Sequence, residues 1–113
     1  MSVTIYHNPR CSKSRKTLAL LEEKGVETTV IEYLNETPNV AELSKILKMM
    51  GKTPTDILRA KDAKEAGIDV DGLSDDDLLV QMVTHPISIE RPIVVNGNQA
   101  ALGRPPEDVL AIL

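Results

Sequence analysis

The chain has 113 residues, 42% hydrophobic and 27% charged, which is the range of one globular domain with one core. Aromatic residues make up 2% of it, Tyr6 and Tyr33 alone, and the formal charge is −4 with a pI near 5.1. Neither the stacking platform nor the extended basic face of a nucleic-acid-binding surface is therefore expected. No apolar run approaches the ~20 residues of a membrane span, and the N-terminus lacks the charged-then-apolar order of a signal peptide. A lone cysteine cannot form an internal disulfide, so the expected location is the reducing cytoplasm, with no membrane partner.

In chain order, Val3-Thr4-Ile5-Tyr6 predicts a short strand that Asn8-Pro9 breaks. A helix follows from about Ser12 to Lys24, with Gly25 as its C-cap. Val26 to Tyr33, rich in Val, Thr and Ile, predicts a second strand parallel to the first. Thr37-Pro38 opens the next helix, Asn39 with Glu42 forms a capping box, and Val40, Leu43, Ile46, Leu47 and Met50 make one apolar face before Gly51. Thr53-Pro54-Thr55-Asp56 starts a short helix that runs through Arg59. Lys61 to Gly72 is polar and predicted irregular, and Ser74 with Asp75, Asp76 and Asp77 starts a helix that ends at His85-Pro86. Then the period changes. Arg91 to Val95 and Gln99 to Leu102, around Asn96-Gly97, predict an antiparallel hairpin with a tight Asn-Gly turn, and a last helix runs from about Glu107 to Ile112. The order β-α-β, helices, β-β, α is that of an α/β, thioredoxin-like (glutaredoxin-like) fold with a mixed four-stranded sheet. It is read as a single domain over residues 1–113 with a helical insertion at about 37–86.

Cys11 thus falls at a strand-to-helix turn, in the run His7-Asn8-Pro9-Arg10-Cys11-Ser12-Lys13-Ser14-Arg15-Lys16. A free cysteine titrates near ~8.5, and a helix N-terminus with neighbouring cations lowers that value, so a thiolate at neutral pH is expected. The N–H groups at the helix start also form an anion site. One cluster would then bind an oxyanion and attack it. The competing reading makes Cys11 a small buried apolar residue beside a solvated basic helix face, and the turn position argues against it. A cysteine phosphatase loop needs arginine after five intervening residues, where this chain has Thr17, so further positive charge must come from distant arginines. Arg59, Arg91 and Arg104 are the candidates. Each lies at an element end, two immediately precede proline, and the planar guanidinium donates two parallel hydrogen bonds to a tetrahedral oxyanion. Singly each reads as a surface residue; their combination with Cys11 carries the argument.

The run from His7 to Arg15, with Leu58-Arg59, Glu90-Arg91-Pro92-Ile93-Val94 and Gly103-Arg104-Pro105, resembles the glutaredoxin-coupled arsenate reductase family (ArsC), from about Val3 to Leu110. The resemblance implies that Cys11 is the catalytic nucleophile, attacking arsenate to give a covalent thioarsenate adduct. It implies that His7 and Ser14 favour the Cys11 thiolate, and that Arg59, Arg91 and Arg104 bind the oxyanion and the arsenite intermediate. It also places Arg91-Pro92 where the thioredoxin-like fold usually carries a cis-proline. No bound cofactor is implied. Glutathione is the implied co-substrate that attacks the adduct, and glutaredoxin the implied partner that resolves the mixed disulfide as arsenite leaves. An enzyme with no resolving thiol must borrow one, which agrees with the single cysteine. The chain stops soon after Leu110, without the C-terminal tail of longer members; that tail holds none of the motif residues, so the chemistry is expected to survive.

Two other functions are weighed against this one. Non-enzymatic relatives that bind RNA polymerase as redox regulators carry a second cysteine three residues after the first, where this chain has Ser14. A glutaredoxin-like thiol transferase would need a glutathione groove but not three arginines. His7 could equally be a structural histidine at a strand end, and His85 is read as structural at a helix end. Asp75 to Asp77 is read as a capping cluster, and two remote histidines with one cysteine offer no zinc spacing. Met49 and Met50 are read as core filler.

Overall fold

Period-two burial sets the first strand. In β1, Ser2–His7, the side chains of Val3, Ile5 and His7 are buried on one face while Thr4 and Tyr6 are half-buried on the other. The computed structural model describes residues 2–113, which fall into two compact units: one takes the chain up to Glu36 and from Arg91 to Leu113, the other Thr37–Glu90.

In the first unit β1 leads through α1, Ser12–Glu23, to β2, Glu27–Glu32, and the hairpin of β3, Ile93–Asn96, and β4, Gln99–Leu102, completes a sheet of order β2-β1-β3-β4. β1 and β2 are parallel with Ile5 opposite Val30, while β3 lies antiparallel to both β1 and β4. Val3, Ile5, Leu21, Val94 and Val109 form the core, with Leu18, Leu20, Val26 and Ala101 packed against it. Gly25 follows the actual cap, Lys24. With φ +70° it lets Val26 N–H reach back to Leu21 O (3.2 Å), which turns the chain into β2.

The hairpin turn sits one residue later than expected. Asn96 pairs with Gln99, so Gly97 and Asn98 form the loop, with Gly97 at φ +61°. Asn96 stays in the strand and donates from Nδ2 to Ile112 O (2.6 Å). The last helix is a 3₁₀ segment, Pro106–Ile112, that buries Val109; a single buried side chain does not select the α period. Both Arg91-Pro92 and Arg104-Pro105 are cis.

In the second unit α2, Val40–Met50, carries the expected capping box: Glu42 N–H donates to Asn39 Oδ1 (2.8 Å) and Asn39 N–H to Glu42 Oε1 (3.3 Å). Leu43, Ile46 and Leu47 are its buried face, and Met49 and Met50 are half-buried. A 3₁₀ turn, Pro54–Ile57, ends before Leu58, where a helix through Arg59 was expected. Arg59 instead precedes a new helix. The stretch predicted irregular holds all but the first residue of α3, Ala60–Glu65, with Ala63 fully buried; two alanines in six residues, only one of them buried, leave no apolar face to read. α4, Asp75–Thr84, starts at Ser74, whose hydroxyl accepts Asp77 N–H (3.1 Å), and ends at His85. No helix among the described residues is long and apolar enough to cross a membrane.

Candidate active site

β1 ends on its buried face with His7, and the chain must turn outward to begin α1. Asn8 O accepts Cys11 N–H (3.0 Å), closing the four-residue turn Asn8-Pro9-Arg10-Cys11, and Asn8 Oδ1 accepts Arg10 N–H (3.0 Å) inside it. Arg15 Nη1 donates to Pro9 O (2.9 Å) from α1. Cys11 therefore occupies the N-cap of α1, extended at φ −93° and ψ 123°, where a Ser or Asp oxygen ordinarily accepts the first-turn N–H groups. Its sulfur sits at that position without making a directional cap hydrogen bond.

Partial burial pushes the Cys11 thiol pKa up. The backbone N–H groups of Ser14 and Lys13, then the hydrogen bond and charge of Arg91, outweigh burial and hold it below the ordinary thiol value. Arg104 adds a second guanidinium: its Nη1 lies 3.9 Å from Cys11 Sγ and donates to Arg91 O (3.1 Å). Arg91 is only 9% exposed, so its charge acts where water screens it poorly.

Behind the turn, Ser14 is fully buried. Its Oγ accepts Asn8 N–H (3.0 Å) and lies 2.6 Å from His7 Nδ1. Burial lowers the His7 pKa, the Glu32 carboxylate opposite it on β2 opposes this, and Arg15 lowers it again; the net shift is downward. A neutral imidazole is the result at neutral pH.

Of the residues expected at a site, Cys11, His7, Ser14, Arg91 and Arg104 all lie in the first unit. Arg59 lies in the second, where its Nε contacts Asp62 and its Nη1 contacts Glu90, each at 2.6 Å. Burial disfavours its charge, but the two carboxylates more than compensate and raise its pKa. Asp62 and Glu90 were missed in the sequence. Asp62 stands three residues on, a helical ion-pair spacing, whereas Glu90 is 31 residues away and gives no local signal. In the sequence Asn8-Pro9 marks the strand break and the turn that carries Cys11, and an Asn-Pro pair is also a signal that the Asn side chain closes that turn. Among the described residues no group of three or more His, Cys, Asp or Glu could hold a metal ion.

A thiol of lowered pKa at a helix start, beside two guanidinium groups, is fit to meet an anion and attack it. The model of the ArsC family matches residues 6–112. The chain belongs to the ArsC family. A protein from Haemophilus influenzae called arsenate reductase is 47% identical, covering 100% of both chains. A solved structure titled arsenate reductase from Vibrio cholerae is 51% identical, with a TM-score of 0.93, covering 100% of this chain and 98% of that one. An arsenate reductase from Rhizobium meliloti is longer: the match, 45% identical, covers 100% of this chain and 82% of that one. The α/β architecture of this ArsC member, with its mixed four-stranded sheet, is that of a thioredoxin-like fold.

Proposed function

We propose that this ArsC member reduces arsenate to arsenite, with Cys11 as the nucleophile. The observation that carries the reading is the position of Cys11 at the start of α1, its thiol pKa lowered by the Ser14 and Lys13 N–H groups and by Arg91, with Arg104 Nη1 3.9 Å from its sulfur. The names of the full-length relatives support arsenate as the oxyanion. Arg91 and Arg104 supply charge-assisted hydrogen bonds to the oxyanion, and His7 with Ser14 holds the cap loop in place.

Chemistry then runs in three balanced steps. The Cys11 thiolate attacks arsenic, forming an S–As bond as one oxygen leaves as water with protons from solution; arsenic is still pentavalent. Glutathione thiolate attacks Cys11 Sγ, an S–S bond forms, and the electron pair of the broken S–As bond reduces arsenic to arsenite. A glutaredoxin thiolate then attacks the glutathione sulfur, releasing the Cys11 thiolate. The donor assignment rests on the lone cysteine: with no second thiol in the chain, the S–S bond must be made with, and resolved by, another molecule.

The test is NADPH oxidation by purified protein with glutathione, glutaredoxin and glutathione reductase, in parallel with Cys11→Ser. Oxidation that requires arsenate and Cys11 is expected. Folded, reduced protein that is silent with a working donor system overturns the reading, and activity with thioredoxin in place of glutaredoxin overturns the donor assignment alone.

A further inference from the structure

Asn8 has three bonds to the cap loop and is 3% exposed, yet the chemistry above gives it no part. A polar side chain that buried is held by what it bonds, and an asparagine in a surface turn is ordinarily solvated. Each of its bonds ends on a group that governs Cys11. Oδ1 takes the Arg10 N–H and the carbonyl takes the Cys11 N–H, so side chain and backbone close the same turn from one residue. The Asn8 N–H goes to Ser14 Oγ, the hydroxyl that meets His7, and Ser14 is also the residue whose backbone N–H reaches the thiol.

We infer that Asn8 is the positioning residue for Cys11, its side chain fixing the turn that places the sulfur at the start of α1. The inference rests on the reading of Cys11 as a working thiolate. The stabilisation of a thiolate by the N–H groups and cations around it falls off with distance, so a turn free to open at Arg10 moves Sγ away from the helix start. Nothing else in the turn restrains Arg10 N–H, since proline at position 9 has no N–H and the Arg15 bond reaches the Pro9 carbonyl instead. The charged groups that face Cys11 are untouched by a change at position 8. They are Arg91 before β3 and Arg104 after β4; Lys13 contributes its backbone N–H, and His7 at the end of β1 lies behind Ser14.

The experiment is the pH dependence of Cys11 alkylation by iodoacetamide in wild type, Asn8→Ala and Asn8→Ser, with circular dichroism to establish folding. Asn8→Ala removes the acceptor of the Arg10 N–H. The expected result is a profile displaced toward higher pH, with about a tenfold fall in the thiolate fraction on its acid side, one unit of pKa. Asn8→Ser keeps a shorter acceptor and is expected between the two. That order, wild type then Ser then Ala, upholds the inference. A folded Asn8→Ala with the wild-type profile overturns it, as do Ser and Ala profiles shifted alike. Should Asn8→Ala fail to fold, the Ser variant decides: a fall of twofold or more in thiolate fraction upholds the positioning role, and a wild-type profile overturns it. Alkylation needs neither arsenate nor an electron donor. A variant-dependent shift in a protein that does not turn over arsenate would therefore keep this inference and discard the proposed substrate.

Discussion

A methyl group on Gly103 would strike the two side chains that lock the site to the sheet. A Cβ built there lies 2.6 Å from Thr17 Oγ1, 2.8 Å from Pro92 Cγ and 3.2 Å from Thr17 Cγ2. Neither neighbour can give easily. Thr17 is fully buried and its hydroxyl donates to Lys13 O (2.8 Å), while Pro92 is fully buried in the chain leading to β3. Gly103 itself cannot retreat without stretching its N–H bond to Pro92 O (2.9 Å). Overpacking of this kind costs about 2 kcal/mol, within the ~1–3 kcal/mol seen for an extra methylene in a filled core. For a chain of this length that lowers the melting temperature by roughly 8 °C, at about 4 °C per kcal/mol. The shift would also be felt in the chemistry, because Arg91 precedes Pro92, Arg104 follows Gly103, and Thr17 is tied to Lys13 at the helix start. Gly103→Ala is therefore expected to lose both stability and kcat/KM for arsenate, read by thermal melts and the coupled assay. A variant that melts within about 2 °C of wild type, under ~0.5 kcal/mol on the same scale, would refute the packing argument.

Cys11→Ser is expected to abolish turnover yet melt at or slightly above wild type, because a serine hydroxyl can cap α1 where Cys11 makes no cap bond, and a melt well below wild type would refute this. Arg91→Ala and Arg104→Ala should each lower kcat/KM for arsenate by roughly tenfold to a hundredfold, the range of a lost charge-assisted hydrogen bond, and wild-type values in both would discard the arginine assignment. The folded-state pKa of Cys11 is lowered, so the thiolate stabilises the fold fully above the unfolded thiol value near ~8.5, and this stability is lost as pH falls toward the folded value. Urea midpoints should climb with pH across that window in wild type and not in Cys11→Ser. Burial likewise lowers the His7 pKa, so stability should decline as pH drops below its ordinary value near ~6.5, with a flatter acid limb in His7→Gln.

Elements defined by local chemistry were legible in the sequence. The Asn39–Glu42 box, the Ser74 cap and the strand alternation of Val3 and Ile5 each lie within a few residues and appear in the structure. Cys11 at the start of α1 was legible for the same reason, since a strand and a helix separated by Asn8-Pro9 leave little choice of register. What escaped depends on distance or on too few residues. α3 has one buried side chain and no period to detect, and the Arg59–Glu90 pair joins residues 31 apart. The double role of Asn8 was hidden because its backbone partner Ser14 lies on the next element.

The two arginines beside Cys11 show how much one turn decides. Pairing Asn96 with Gln99 sets Ile93 opposite Leu102, and the next step outward joins Pro92 to Gly103 through the 2.9 Å bond. Arg91 and Arg104 then face each other across the open end of the hairpin, where Arg104 Nη1 reaches Arg91 O. Had Asn96 and Gly97 formed the loop, as the sequence suggested, Val95 would pair with Asn98 and Arg91 would stand opposite Leu102. Moving the turn centre by one residue moves the pairing by two, which would carry Arg104 past the end of the ladder. The position of Gly97 in the loop, with its left-handed φ of +61°, thus delivers two cations to one sulfur across a span of 13 residues. Arginine at both positions matters only because the hairpin closes in this register.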